Sequence, residues 1–127
     1  IYSGQEEPMK KRLAFFEKDT IPFKNFEYAS FYATLNELKH KNRALWNGDQ
    51  GGLSQRVNKS DNVYAFMRQR VGDKFIGVFN LSRKPQTTKL SVPVEDLKIV
   101  FSDKTLNLSS EQDINLGPWE YFLFSSK

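Results

Sequence analysis

The sequence predicts a mainly β protein, an antiparallel β-sandwich preceded by a loop and one long α-helix. Apolar runs separated by turn residues recur at intervals of about ten residues after Gly52. An apolar pattern with helical spacing is confined to one earlier segment. Aromatic residues make up 14% of the chain, a level that fits a β-rich core. The 127 residues are enough for one domain with a hydrophobic core of its own.

The first 25 residues show no sustained periodicity and are predicted to form the end of a strand followed by a loop. Pro8 and Pro22 interrupt regular structure on either side of this loop. The loop nevertheless carries large apolar side chains, including Phe15 and Phe16, which need another surface to cover them.

A helix is predicted from about residue 26 to residue 42. Its apolar face consists of the side chains that recur at i, i+3, i+4, i+7 and i+10, namely Tyr28, Phe31, Tyr32, Leu35 and Leu38. Asn25 is the predicted N-cap, and basic residues gather at the other end, where positive charge suits the helix dipole. Asn47-Gly48 and Gly51-Gly52 mark the exit from this segment.

The remaining residues, 51–127, are predicted to form an antiparallel β-domain, separate from an N-terminal unit of residues 1–50. The predicted strands are LSQRVN, NVYAFMRQR, KFIGVFNLS, QTTKLSV, KIVF, DINL and WEYFLF. In the second and third of these strands, both the odd-numbered and the even-numbered positions include apolar residues. This pattern is typical of central strands that are covered on both faces.

Charge and composition exclude several classes of protein. The net charge of +4 is spread along the chain and gives no nucleic-acid-binding footprint. No apolar run approaches the roughly 20 residues of a membrane-spanning helix, so no membrane span is predicted. The chain lacks cysteine and therefore has no disulfide framework. It has no initiator Met and starts on an apolar residue, which suggests a processed chain or a fragment.

The chain offers few catalytic groups. Glu6 and Glu7 are adjacent, so on an extended chain their side chains point to opposite sides and cannot both act on one bond. His40 is the only histidine and has no partners for a metal site or a catalytic triad. We therefore predict no catalytic residue, metal site or cofactor in this chain. An enzyme that is complete in itself, acting through Glu6 or Glu17 with Asp113, is kept as an alternative.

Exposed aromatic side chains would favour a carbohydrate-binding module, because sugar rings stack on aromatic planes. Trp46 and Trp119 are the candidates for such stacking. Trp119 however begins a run in which aromatic residues alternate along a strand, and core or interface packing explains that pattern better.

Several segments, in order, resemble the C-terminal part of α-amylase-family enzymes, glycoside hydrolase family thirteen. IYSGQE resembles the tail of the G-x-P-x-x-Y-x-G-x-E motif at the eighth barrel strand, with matches at Tyr2, Gly4 and Glu6. The preceding G-x-P is not in the chain. FYATLNELKHKNRALWNG resembles the last barrel helix and its exit, and FMRQRVGDKFIGVFNLS resembles the first long hairpin of the family's C-terminal β-domain.

The resemblance implies a fragment of an enzyme that hydrolyses α-glucosidic bonds with retention, acting on starch-type glucans. The family's three catalytic carboxylates lie on earlier barrel strands, so this chain alone is expected to be inactive. Its implied role is to cap the barrel, and the missing barrel is its implied partner. The residues expected at that interface are Phe15, Phe16, Phe31, Leu35 and Leu38.

The same resemblance leaves other properties to the upstream part of the enzyme. Any calcium site would belong to the parent enzyme, as would its substrate preference. A secreted or periplasmic location is favoured, with a cytoplasmic one as the alternative. A homodimer formed through the uncovered helix face is a further alternative, which would make the chain a homo-oligomerising interaction domain.

Overall fold

The computed structural model describes residues 3–102 and 104–127. These residues form one α-helix, α1 (Ala29–Lys41), and two 3₁₀ helices, Arg43–Leu45 and Gly48–Gln50. The strands are β1 (Gln55–Arg56), β2 (Val63–Arg70), β3 (Asp73–Asn80), β4 (Gln86–Lys89), β5 (Val94–Ile99), β6 (Thr105–Leu108), β7 (Asp113–Leu116) and β8 (Tyr121–Ser125). The predicted class, mainly β with antiparallel sheets and one helix, is confirmed.

Six strands form one sheet in the order β1-β2-β3-β8-β5-β6, and neighbouring strands are antiparallel. A two-residue turn joins β2 to β3. The φ angles of its residues, Val71 and Gly72, are 47° and 82°, as in the turns that match the twist of paired strands. The last strand, β8, lies between β3 and β5, so the centre of the sheet depends on residues that are far apart in sequence.

Strands β4 and β7 form a second, two-stranded sheet. Residues of both sheets share one hydrophobic cluster, so the two sheets make a sandwich. The large apolar side chains that this sandwich buries most completely are Val63, Ile76, Val78, Val94, Leu116 and Phe124. Side chains alternate along a strand, so the other residues of β2, β3 and β8 lie on the opposite side of the six-stranded sheet, here called the outer face.

A buried asparagine, Asn80, ends β3 and fixes the two loops that meet there. Its side-chain Nδ2 donates hydrogen bonds to the backbone carbonyls of Lys84 at 2.8 Å and Gly117 at 2.7 Å. Its Oδ1 accepts a hydrogen bond from the backbone N–H of Ser82 at 3.0 Å. The amide thus uses both of its polar atoms inside the fold, as a buried polar group must.

The chain divides into two compact units, one that ends at Glu37 and one from Leu38 to Lys127. Among residues 3–37 only Gly4 and Glu7 are buried. α1 begins at Ala29, so Asn25 precedes the helix and the prediction that it is the N-cap is wrong. The sequence-based division into residues 1–50 and 51–127 concerns a different boundary, the one between a barrel end and a β-domain. That division stays a prediction.

Candidate functional site

Two of the three matched residues of the barrel-end motif, Gly4 and Glu6, form hydrogen bonds within their own segment. Oε2 of Glu6 accepts a hydrogen bond from the backbone N–H of Gly4 at 3.1 Å. The carbonyl of Glu6 accepts one from the N–H of Tyr28 at 2.9 Å. Tyr2, the remaining matched residue, lies outside the described residues. The assignment of Tyr2, Gly4 and Glu6 to a barrel end stays a prediction, while the contacts of Glu6 are those of a local structural residue.

The neighbouring carboxylate, Glu7, is held by a run of backbone N–H groups ahead of the helix. Its Oε2 accepts hydrogen bonds from Lys24 at 3.1 Å, Asn25 at 3.0 Å and Phe26 at 2.8 Å. Phe26 has a φ of 50°, which helps three successive N–H groups to converge on one anion. The hydrogen bond from Phe26, above all, lowers the pKa of Glu7 from its ordinary value of 4.5.

We expect the amide proton of Phe26 to follow the ionisation of Glu7. Because the folded pKa of Glu7 lies below 4.5, its ionised form stabilises the segment. That contribution is complete above pH 4.5 and is lost as the pH falls through the folded value.

In a pH titration followed by NMR, the Phe26 amide shift should move with a midpoint below 4.5. Glu7→Gln should abolish this movement, whereas Glu17→Gln, at an exposed position, should keep it. A midpoint at or above 4.5 would contradict the assignment.

Another carboxylate of this unit, Asp19, organises the loop that carries Phe15 and Phe16. It pairs with the ammonium of Lys11 and accepts the backbone N–H of Ala14 at 3.0 Å. The hydrogen bond from Lys11, followed by those from the backbone, lowers the pKa of Asp19 to about 2. Asp19 is therefore ionised at neutral pH and engaged in holding its own loop.

The residues predicted to contact a barrel differ widely in exposure. Phe15 and Phe16 are 89% and 95% exposed, and their rings meet edge to face at a centroid distance of 4.7 Å. Phe31 and Leu35 on α1 are half-buried, and Leu38 is buried. Their assignment to an interface stays a prediction.

The two tryptophans have different surroundings. Trp46 donates its indole N–H to the carbonyl of His40 at 3.2 Å, and the Arg43 guanidinium lies 5.8 Å from its ring centroid. These contacts close the end of α1 and cover part of the indole. Trp119 is 59% exposed, and its backbone N–H donates to the carbonyl of Ser82 at 3.1 Å. Of the two indoles, Trp119 is thus the more open to a ligand.

A buried asparagine, Asn42, fixes the end of α1 to the six-stranded sheet. Its Nδ2 donates to the carbonyl of Lys74 and to the hydroxyl of Ser125, both at 3.0 Å. Its Oδ1 accepts the backbone N–H of Ala44 at 2.9 Å and so caps the first 3₁₀ helix. The side chain is fully buried and all of its polar atoms are engaged. Sequence patterns marked Asn42 as part of a motif but did not reveal this role.

Asp73, at the start of β3, gives a second anchor for the same segment. Its Oδ2 accepts the backbone N–H of Arg43 at 2.8 Å, and its Oδ1 pairs with the ammonium of Lys127 at 3.1 Å. Burial alone would raise the pKa of Asp73, but these two partners outweigh it and lower the pKa below the ordinary 3.8.

Four aromatic rings, Tyr64, Phe66, Phe79 and Tyr121, form a continuous row across β2, β3 and β8 on the outer face, here called the ring row. Adjacent centroids are 5.8 Å apart for Tyr64 and Phe66, 6.2 Å for Phe66 and Phe79, and 6.2 Å for Phe79 and Tyr121. Tyr64 and Tyr121 are 40% and 41% exposed, whereas the two phenylalanines are half-buried. The sequence pattern indicates apolar residues on both faces of β2 and β3 but does not reveal this row.

Gly77 lies beneath the middle of the ring row. It pairs in register with Phe66 on one side and Leu123 on the other. A Cβ added at Gly77 would lie 2.8 Å from the ring of Phe79 and 3.1 Å from that of Phe66. The absence of a side chain therefore lets the two rings settle close to the backbone, where they cover an otherwise bare strand position.

The β-domain also has an open polar cavity of about 490 Å³ next to the two-stranded sheet. Its lining includes Arg56, Lys89 and Asp113, and none of the described residues that line it is aromatic. Lys89 and Asp113 form an exposed ion pair at 3.8 Å. The buried groups in its wall, Asn58 and Thr88, are hydrogen-bonded to each other at 3.2 Å. Among the residues that the structure describes, the wall therefore offers no unpaired buried polar side chain to a ligand.

Residues 3–102 and 104–127 lack two other kinds of site. No cluster of three or more His, Cys, Asp and Glu side chains that could hold a metal ion occurs there. Within the same residues, no helix has the length and hydropathy that a membrane crossing requires.

The structure is similar to part of a solved sugar-converting enzyme, trehalulose synthase MutB. A MutB mutant in complex with glucose matches with a TM-score of 0.58 and 21% sequence identity, over 80% of this chain and 18% of that chain. MutB from Pseudomonas mesoacidophila MX-45 matches with a TM-score of 0.57 and 21% identity, over 76% of this chain and 17% of that chain. An inactive MutB double mutant in complex with isomaltulose gives the same values.

This chain thus spans less than a fifth of the length of the proteins it matches. A scan against protein-family models finds no match, and neither does a sequence search of curated proteins. MutB is an enzyme of the α-amylase family, glycoside hydrolase family thirteen. The resemblance predicted from the motifs is therefore confirmed at the level of the fold: the chain is folded like a C-terminal part of an α-amylase-family enzyme.

Proposed function

We propose that this chain is the C-terminal structural part of an α-amylase-like glycoside hydrolase that acts on α-glucans. In this proposal it caps and stabilises a catalytic (β/α)₈ barrel and has no catalytic activity alone. Retaining hydrolysis by two carboxylates would take place in the barrel. Any calcium would also be bound by the barrel part.

One observation carries the proposal: the segment of residues 3–37 has several large exposed aromatic side chains and no buried apolar side chain. Its most exposed aromatic residues are Phe15, Phe16, Phe23, Phe26 and Tyr28. A segment that leaves such side chains in water gains little from folding by itself. A single strand and helix of a barrel would show this property, because their apolar faces are covered only by the rest of the barrel.

The engagement of the carboxylates supports the proposed lack of activity. Glu7 and Asp19 accept backbone hydrogen bonds, and both have a lowered pKa, whereas a general acid needs a raised one. Asp113, the partner considered for a complete enzyme, lies in an exposed ion pair with Lys89. None of these groups has the environment of a catalytic acid.

The sugars bound in the matched structures favour a second substrate class. MutB has been solved in complex with its substrate sucrose and with isomaltulose. A parent enzyme that acts on short α-glucosides is therefore the alternative to one that acts on starch.

The test compares three proteins: the full-length polypeptide that contains this chain, a form of it from which Gly52 and all later residues are removed, and this chain alone. We expect the full-length protein to release product from soluble starch or from sucrose. This chain alone should release none above buffer, and the truncated form should lose activity at a lower temperature because its barrel is uncapped. Product from the chain alone, or equal thermal inactivation of full-length and truncated proteins, would contradict the proposal.

The exposure of Trp119 favours one other candidate, a carbohydrate-binding module. Retardation of this chain by soluble starch in a native gel, lost in Trp119→Ala, would support that candidate over a purely structural role.

A further inference from the structure

We infer that the ring row is the surface through which the β-domain docks onto the outer helices of a (β/α)₈ barrel. This inference rests on the proposed function and names the contact that capping would use. It concerns only residues of the unit from Leu38 to Lys127, where the row and its surroundings lie.

The arrangement of the rings argues against a sugar platform at this place. A sugar binds to the open face of a ring. In the row, Phe66 and Phe79 are stacked with an interplanar angle of 8°, and Phe79 and Tyr121 with one of 24°. At the other end, the Arg56 guanidinium lies 5.9 Å from the centroid of Tyr64. Each ring thus has a face turned to a neighbour within the molecule, as in a packed protein surface.

The outer face already holds helical backbone next to the row. Arg68 binds the segment with both 3₁₀ helices to the outer face. Its Nε donates a hydrogen bond to the carbonyl of Gly52 at 2.8 Å, and its Nη2 donates one to the carbonyl of Trp46 at 2.7 Å. Asn42 adds its bond to Ser125, which alternates with the core residues of β8 and so lies on the outer face. The ring row continues this surface beyond the part that the segment covers.

The chemistry of the row fits the apolar faces of helices. It contains no charged group, and its middle is formed by two phenylalanine rings above Gly77. The two phenol rings at its ends can keep their hydroxyls in water at the rim of an interface, where tyrosine is commonly found. Helices on the outside of a barrel present the aliphatic side chains that such a surface would bury.

Because the chain has no cysteine, single-cysteine variants can report on the row. Tyr121→Cys places a thiol at an exposed end of the row, and Thr87→Cys places one at an exposed position of the two-stranded sheet. The rate of alkylation by a maleimide at the introduced cysteine, followed by mass spectrometry of the peptide that contains it, is measured under native conditions in this chain alone and in the full-length polypeptide. Tyr64→Cys serves as a second row variant if Tyr121→Cys does not fold.

We expect the row variant to react at least about tenfold more slowly in the full-length polypeptide, because a docked surface excludes the reagent. The Thr87→Cys variant should react at the same rate in both. An unchanged rate at the row in an active full-length enzyme would overturn the docking inference and leave the proposed function standing. Protection in the chain alone that increases with its concentration would also overturn it, since a second copy would then be the occupant. Failure of the proposed function would appear instead as the absence of activity in the full-length protein.

Discussion

Replacing Phe124 by alanine is expected to lower the free energy of unfolding by about 3–5 kcal/mol. Phe124 is fully buried in the core of the sandwich, and it pairs in register with Ile76 on β3 and Ile99 on β5. Truncation removes a whole buried ring and leaves a cavity between the sheets. Because the residues around β8 are closely packed, they cannot move in to fill this cavity. Urea denaturation of this 127-residue chain, followed by circular dichroism, measures the change.

The control for this variant is the same substitution at an exposed ring. Phe16 is 95% exposed, so Phe16→Ala should change the free energy of unfolding by less than about 0.5 kcal/mol. Similar losses for the two variants would show that β8 does not form the centre of the core.

The second large effect is expected at the buried amide between α1 and the sheet. Asn42→Ala should lower the free energy of unfolding by about 2–4 kcal/mol. The substitution removes the donor to the carbonyl of Lys74 and to the hydroxyl of Ser125, and the acceptor for the N–H of Ala44. Ala44 and Ser125 are fully buried, so their groups that lose this partner and find no water carry a desolvation cost, whereas Lys74 is half-buried. The same urea experiment measures the change.

Asn36→Ala is the matched control, because Asn36 lies on the exposed side of the same helix. Alanine is the better helix former, so this variant should be neutral or slightly stabilised. If Asn42→Ala were as stable as Asn36→Ala, the anchoring role given to Asn42 would be wrong.

The fold class could be predicted because its main signals are local. Strands β2, β3 and β8 contain the apolar runs VYAFM, FIGVF and YFLF, and α1 has a helical period that ends in basic residues. The sequence did not reveal β6, and it placed β5 too late. β5 contains Glu95 and Asp96, and a register shift between Val94 and Leu97 breaks the alternation on which strand prediction depends.

The anchoring residues were harder to predict because their partners are distant in sequence. The side chain of Asn42 binds groups 32 and 83 residues away, and Asp73 binds the backbone of Arg43. No local pattern encodes such pairings. Glu7 was assigned to a loop, correctly, but its three backbone donors depend on a chain reversal that only the structure shows.

The exposed aromatic side chains could be predicted only in part. Phe15 and Phe16 stood out in the sequence because they interrupt a polar loop. The ring row did not, since its residues alternate with core residues and look equally apolar. Which of the two sets of alternating side chains faces the core depends on where the second sheet packs, and that packing is a tertiary property.

The buried amide of Asn80 has a practical consequence for producing the protein. Asn80-Leu81-Ser82 is an N-glycosylation sequon, and a secretory host can attach a glycan to it before the chain folds. The modified nitrogen would no longer reach the carbonyls of both Lys84 and Gly117, and a bulky glycan could not enter a position that is 1% exposed. Hosts that do not glycosylate Asn-x-Ser sequences are therefore the appropriate choice, and in others Ser82→Ala would remove the acceptor sequence while leaving the amide in place.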